Sequence, residues 1–266
     1  MEIPKIIKEE KDYLVVFKPA QMHTAPLPKS DTETLLDWCC ADYPEIKKIT
    51  AKKEGEGGLL HRLDYETQGL VLIARTTTGM ENLLLQQKEN KIIKEYNALV
   101  TANDIKIPGF PEKPPVLPKD KKVSQEIPFG SQEIPFGSQE IPFGSREIPL
   151  ILSSSFRPYG VGRKSVRPIL NGGKTYFTNI INAKKLKNNL ISLRVGISNG
   201  FRHQIRCHLA WLGLPIVNDT LYGGIAYKNG LLALKAVSLA FINPSTGKNE
   251  KYFIDPLNEK DFDGLL

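Results

Sequence analysis

The chain predicts an α+β fold, a mainly antiparallel mixed sheet with a few flanking helices. Three observations carry this. Apolar runs of strand length recur along its 266 residues. Helical periodicity is confined to three stretches, and the strand–helix–strand alternation that builds a parallel sheet is missing. Composition is that of a globular chain, 41% hydrophobic and 24% charged. A single domain over residues 1–266 is expected, interrupted by a Pro-rich and repetitive insertion at about 103–150.

Tyr13 to Phe17 (YLVVF) reads as a strand, closed by Lys18-Pro19 because proline cannot donate to a ladder. Ala20 to Lys29 is loop-like. Asp31 or Thr32 can cap a helix running through Leu35, Leu36 and Trp38 to about Ala41. Lys47 to Gly58 is basic and then glycine-rich. Leu70 to Ala74 is a buried strand, and Thr77 to Lys88 a helix with Met80, Leu83, Leu84 and Leu85 toward the core. Ile92 to Val100 is a further strand. From Asn103 prolines break the pattern. The unit Ser-Gln-Glu-Ile-Pro-Phe-Gly then recurs from Ser124, Ser131 and Ser138, with a decayed copy from Ser145. A Pro and a Gly in each of the three full copies exclude helix and central strand, and an expanded insertion without function is expected. Ile151 to Phe156, Lys174 to Asn182 and Leu190 to Ile197 read as strands. Phe201 to Leu212 reads as a helix, with Ile205, Leu209 and Leu212 on one face and Gly213 as its stop. Leu231 to Ile242 and Lys251 to Ile254 close the chain as strands around the turn Asn243 to Gly247.

The formal net charge is +7 and the pI about 9.1, which favours a polyanionic partner. No apolar run approaches the ~20 residues of a membrane span. The start, Met1 to Asp12, lacks the apolar centre of a signal peptide. Cys39 and Cys40 are adjacent and Cys207 is left over, so no disulfide framework is expected. A cytoplasmic monomer without a membrane association is the expectation.

Two polar clusters stand out. In His61-Arg62-Leu63-Asp64 a guanidinium and a carboxylate lie two residues apart in a polar turn mounted on a core strand, a common way of presenting catalytic groups. Alone, the pair reads more readily as a solvated surface pair. In the second cluster, Arg202 and Arg206 stand one helical turn apart, flanked by His203, a pattern suited to phosphate or carboxylate. A metal site is not expected. His203 and His208 are five apart rather than four, and neither they nor His61 and Cys207 form a zinc pattern. No GxSxG, GxGxxG or phosphate-binding glycine loop occurs, so no cofactor is called for.

The stretch HRLDYETQGLVLIAR resembles the signature of the RluA-type pseudouridine synthase family. In chain order, the Asp12–Pro19 strand, Lys94-Glu95-Tyr96, Gly200 to Leu209, Leu214 to Gly223 and Leu234 resemble further motifs of that family. The resemblance implies isomerisation of uridines in rRNA or tRNA to pseudouridine by base flipping, without cofactor or metal. It implies that Asp64 is the catalytic aspartate, that Tyr96 packs on the target base, and that Arg206 pairs with Asp64. Leu234 would complete the apolar wall and Arg62 would fill the gap left by the flipped nucleotide. His61, Arg202 and His203 would contact substrate. An ionised carboxylate is the nucleophile such chemistry needs, and a neighbouring arginine keeps it ionised. Flipping a base costs a few kcal/mol, which stacking partly recovers.

The chain departs from the family pattern at Gln21, Gln68, Phe201, Arg202 and Lys235, where Gly, Ser, Arg, Thr or Ser, and His are usual. It begins almost at the catalytic region, so RNA recognition is expected from that region itself. The competing expectations are an RNA-binding or chaperone protein of the same fold without the activity, and a metal-dependent hydrolase.

Overall fold

The computed structural model describes residues 2–28, 32–50, 54–103, 106–112, 116–117, 149–187, 189–227 and 230–257. The repeat from Ser124 and most of the insertion expected at 103–150 lie outside these residues. The strands and α-helices follow in chain order: β1 (Lys5–Glu9), β2 (Tyr13–Lys18), α1 (Leu35–Asp42), β3 (Gln68–Ala74), α2 (Thr77–Lys88), β4 (Ile93–Thr101) and β5 (Val116–Leu117). Then come β6 (Leu150–Tyr159), β7 (Ser165–Ile169), β8 (Tyr176–Lys185), β9 (Leu190–Ile197), α3 (Gln204–Trp211), β10 (Leu234–Ile242) and β11 (Asn249–Phe253). The chain divides into two units, Met1–Ile92 with Ala236–Asp255, and Ile93–Lys235 with Pro256–Leu266.

In the first unit β1, β2 and β3 form an antiparallel meander, with Tyr13 opposite Ala74 and Lys18 opposite Gly69. Every residue of β2 is buried. Paired on both edges, its aromatic and β-branched side chains have no solvent face to offer. Tyr13, Leu70, Leu72, Met80, Leu83 and Phe241 form the core that α2 covers. Helix α1 is capped by Thr34, not by Asp31 or Thr32. The Thr34 hydroxyl accepts from the Asp37 N–H, and Asp37 reaches back to the Thr34 N–H, closing a capping box. Thr76 caps α2 through its hydroxyl alone, which accepts from the Gly79 N–H. The expected turn between β10 and β11 is closed by the Asn243 side chain, which accepts from the N–H groups of Ser245 and Thr246.

In the second unit β4, β9, β8 and β6 are antiparallel neighbours, and β5 and β7 both pair with β6. The antiparallel α+β expectation is met, and the strands absent from the sequence reading are β1, β7 and the two-residue β5, which pairs with β6 inside the stretch expected to be irregular. Strand β1 is an edge strand with alternating exposed residues, and β7 contains Pro168; both carry weak apolar signals. The third helix starts at Gln204 rather than Phe201. No helix among the described residues is long and apolar enough to cross a membrane.

Candidate functional site

Asp64 sits, half-buried, on a tight turn of the first unit just before β3. Its own carbonyl accepts from the Thr67 N–H at 3.1 Å, which closes the turn. Two clamps fix it. Thr24 is buried, and its hydroxyl donates to the Leu63 carbonyl at 2.8 Å while accepting from the Leu63 N–H at 3.1 Å. One hydroxyl thus satisfies both backbone groups of the residue before Asp64. On the other side Lys18, wholly buried, points its Nζ at the carbonyls of Pro19 (2.8 Å), Met22 (2.7 Å) and Tyr65 (3.3 Å). Burial pushes the Lys18 ammonium down to about 7, against the pull of Asp64 and Glu66. The Lys-Pro pair was read from sequence only as a strand end and a family likeness. A lysine closing an otherwise apolar strand was the available signal for its buried role.

His61 and Arg62 diverge from the same segment. His61 Nε2 accepts from the Leu72 N–H at 3.2 Å, which ties the turn to β3. Arg62 is exposed and pairs with Glu56 at 3.3 Å. Gly69 makes the strand start possible. Its φ is +127°, and a Cβ there would lie 2.3 Å from the Ala236 carbonyl oxygen, so only glycine fits.

The remaining expected residues belong to the second unit. Tyr96 is buried in β4, opposite Val195. Leu234 is buried at the start of β10. Arg206 is buried on α3, where its Nε and Nη2 meet the two Asp219 carboxylate oxygens at 2.8 and 2.9 Å, and its guanidinium lies 5.6 Å from the Tyr222 ring centre. Asp219 was not singled out as a functional residue. It appeared only within the Leu214–Gly223 likeness, and no spacing rule links it to a helix thirteen residues earlier.

Arg202 and Arg206 do not share a helical face. Arg202 precedes α3, and its Nη2 donates to the carbonyls of Arg163 (2.6 Å) and Ser165 (3.0 Å). His203, the residue before the helix, adopts a left-handed conformation, φ +55°, so Arg202 lies two residues before α3 and has no i, i+4 alignment with Arg206. Its Nδ1 lies 3.2 Å from the Tyr222 hydroxyl. His208 is buried between the hydroxyls of Ser154 and Thr178, both 2.8 Å from its ring nitrogens, and burial lowers it to about 3. Cys207 is buried with Sγ toward the Val166 carbonyl. Among the described residues no three His, Cys, Asp or Glu side chains gather as a metal site. Phe201 stacks on Phe156 at 5.2 Å and packs against Tyr176, so this departure is absorbed by an aromatic cluster.

The first unit thus carries Asp64 on a turn whose backbone is clamped, and the second a buried, carboxylate-held guanidinium. A family model described as RNA pseudouridylate synthase matches residues 12–211. The ribosomal large subunit pseudouridine synthase D of Buchnera aphidicola is 28% identical over 221 residues, 83% of this chain and 55% of that protein. That of Blochmanniella floridana is 26% identical over 219 residues, 82% and 54%. The chain thus spans about half the length of the curated relatives it matches. Among solved structures, human RNA pseudouridylate synthase domain containing 1 has a similar fold. The TM-score is 0.60 at 17% identity, covering 97% of this chain and 86% of that one. Human RNA pseudouridylate synthase domain containing 4 gives 0.55 at 17%, covering 95% and 88%.

Proposed function

The chain belongs to the RNA pseudouridylate synthase family, and we propose that it isomerises selected uridines in structured RNA to pseudouridine. The observation that carries this is the Asp64 turn. Its backbone is held on one side by Thr24 and on the other by Lys18, as expected where a carboxylate must be presented in one geometry. The Asp64 carboxylate attacks C1′ while the N1–C1′ bond of the uridine breaks, and it leaves C1′ again as the C5–C1′ bond forms. The freed uracil turns over, a C5–C1′ bond forms, N1 gains a proton and C5 loses one. Atoms balance within the nucleotide, so the reaction as written consumes no cofactor. Tyr96 packs on the target base, with Leu234 beside it as apolar wall. Arg206 supplies positive charge for the anionic groups of the reaction. Arg62 occupies the gap left by the extruded nucleotide, with His61, Arg202 and His203 as substrate contacts. The Buchnera and Blochmanniella relatives are named as ribosomal large subunit pseudouridine synthases, which makes large-subunit ribosomal RNA the first substrate to test; tRNA is the second.

The test is conversion of an unmodified transcript by the purified chain without added metal or cofactor. Asp64→Asn should abolish pseudouridine formation with the melting temperature unchanged. Normal conversion by that variant removes Asp64 from the mechanism.

A further inference from the structure

Two buried threonine hydroxyls flank the Asp64 turn, and they are bonded in opposite ways. That of Thr24 meets both backbone groups of Leu63. That of Thr67, at the other end of the turn, meets no hydrogen-bond partner among the described residues, although Thr67 is only 2% exposed. A valine of the same shape would fill this position at the entrance to β3 without enclosing a polar atom, and strands accept it at least as well. The Thr67 hydroxyl therefore costs the fold stability, and stability does not account for it. The backbone of the turn is already determined. Thr24 holds Leu63, the Asp64 carbonyl accepts from the Thr67 N–H, and the Tyr65 carbonyl accepts from Lys18 and from the Met22 N–H. What these contacts leave undetermined is the direction of the Asp64 carboxylate. Lys18 cannot set it by a hydrogen bond. Its three N–H donors are matched by the carbonyls of Pro19, Met22 and Tyr65, so it acts on Asp64 through charge. Within the turn, Tyr65 lays its ring against His23, and ionised Glu66 has no donor to offer. Thr67 Oγ1 remains. Asp64 and Thr67 are the first and fourth residues of one hydrogen-bonded turn, which keeps their Cα atoms within about 7 Å.

We propose that Thr67 is a positioning residue for the reaction: its hydroxyl donates to the Asp64 carboxylate oxygen that does not attack, and so aims the other at C1′. This role rests on Asp64 being the nucleophile. A rotation of the short Asp64 side chain brings the two groups together. That accounts for a hydroxyl kept where the backbone offers it nothing. The contact fixes the carboxylate in one direction and favours its ionised form, both of which the attack requires.

The experiment measures kcat and KM for conversion of an unmodified large-subunit ribosomal RNA transcript across pH, with the melting temperature of each protein. The proteins are the full chain, Thr67→Val, Thr67→Ser and the control Thr101→Val. Thr101, at the end of β4, carries the same kind of hydroxyl, buried and without a partner among the described residues. Thr67→Val should melt no lower than the parent, because it removes an enclosed and unsatisfied polar atom. Its kcat should nevertheless fall by about 10- to 100-fold with KM little changed. The acid limb of its kcat profile should move to higher pH, since the carboxylate has lost a donor that favours the ionised form. Thr67→Ser keeps the oxygen and should recover most of the lost kcat. Thr101→Val should match the parent in both constants. A normal kcat in Thr67→Val overturns the inference, as does a Thr67→Ser no faster than Thr67→Val or an equal fall in Thr101→Val. A lowered melting temperature with unchanged kcat also overturns it, by assigning the hydroxyl to a structural partner such as a bound water. A parent that converts no uridine overturns the catalytic reading and this inference with it. A converting parent matched by Thr67→Val overturns this inference alone.

Discussion

Arg206 and Asp219 form a two-pronged ion pair within the second unit, at 2.8 and 2.9 Å, with both side chains at most 5% exposed. Such a pair is expensive to break from one side, because the remaining charge stays buried without its counter-charge. Asp219→Ala should lower the free energy of unfolding by about 3–5 kcal/mol, read by urea denaturation. Arg206→Lys should not restore a Lys–Asp equivalent, since an ammonium cannot present two parallel donors. A loss below 1 kcal/mol in Asp219→Ala would show that other groups hold the guanidinium.

The Thr24 hydroxyl serves both backbone groups of Leu63, the residue next to Asp64. Thr24→Val keeps the shape and removes the oxygen. A buried N–H and C=O then lose their partner, a cost of about 1–3 kcal/mol. If the turn positions Asp64 for attack, kcat should fall more than KM changes. Equal stability loss with unchanged kcat would make Thr24 purely structural.

Lys18 gives the fold a pH signature in the alkaline range. Its folded value is lowered to about 7 from 10.5, chiefly by burial. Below pH 7 it is protonated in both states, and the penalty of a buried ammonium is fully present. Between pH 7 and 10.5 the unfolded chain keeps the proton that the folded chain releases, so stability rises with pH. Relative to Lys18→Met, the parent should gain stability across that window, at no more than about 1.4 kcal/mol per pH unit. A flat difference between the two proteins would mean that the ammonium is well accommodated by its three carbonyls.

Much of this architecture could be read from the chain because β2 and β3 are apolar runs and β9 alternates; α2 forms where expected, but Met80 and Leu83 face the core while Leu85 is exposed. What was missed follows from weaker local signals. Strand β1 alternates Lys and Glu with Ile, and β7 contains a proline, so pairing with a neighbour decides both. The α1 cap fell on Thr34 rather than on Asp31 or Thr32, because Asp37 completes a capping box only with Thr34. At the candidate site, Asp64 and Arg206 were legible as chemistry, whereas Thr24, Lys18 and Asp219 were not. Each acts through a contact distant in sequence, at separations of 39, 47 and 13 residues. Arg202 and Arg206 looked like one face only because the helix was begun too early, and a left-handed His203 cannot be seen in a hydrophobic period.

His208 lends the fold an acid sensitivity of its own. Its ring is buried between Ser154 and Thr178 and is lowered by that burial to about 3, against 6.5 for an ordinary histidine. Above pH 6.5 it is neutral in both states and contributes no pH dependence. As pH falls from 6.5 toward 3, the unfolded chain takes up a proton that the folded chain still refuses, so stability declines throughout the window. In His208→Gln an amide can still meet both hydroxyls, and no proton is taken up. That variant should therefore show a shallower loss of melting temperature between pH 6.5 and 4 than the parent, even if it starts lower at neutral pH. Parallel acid limbs in the two proteins would assign the sensitivity to carboxylates instead.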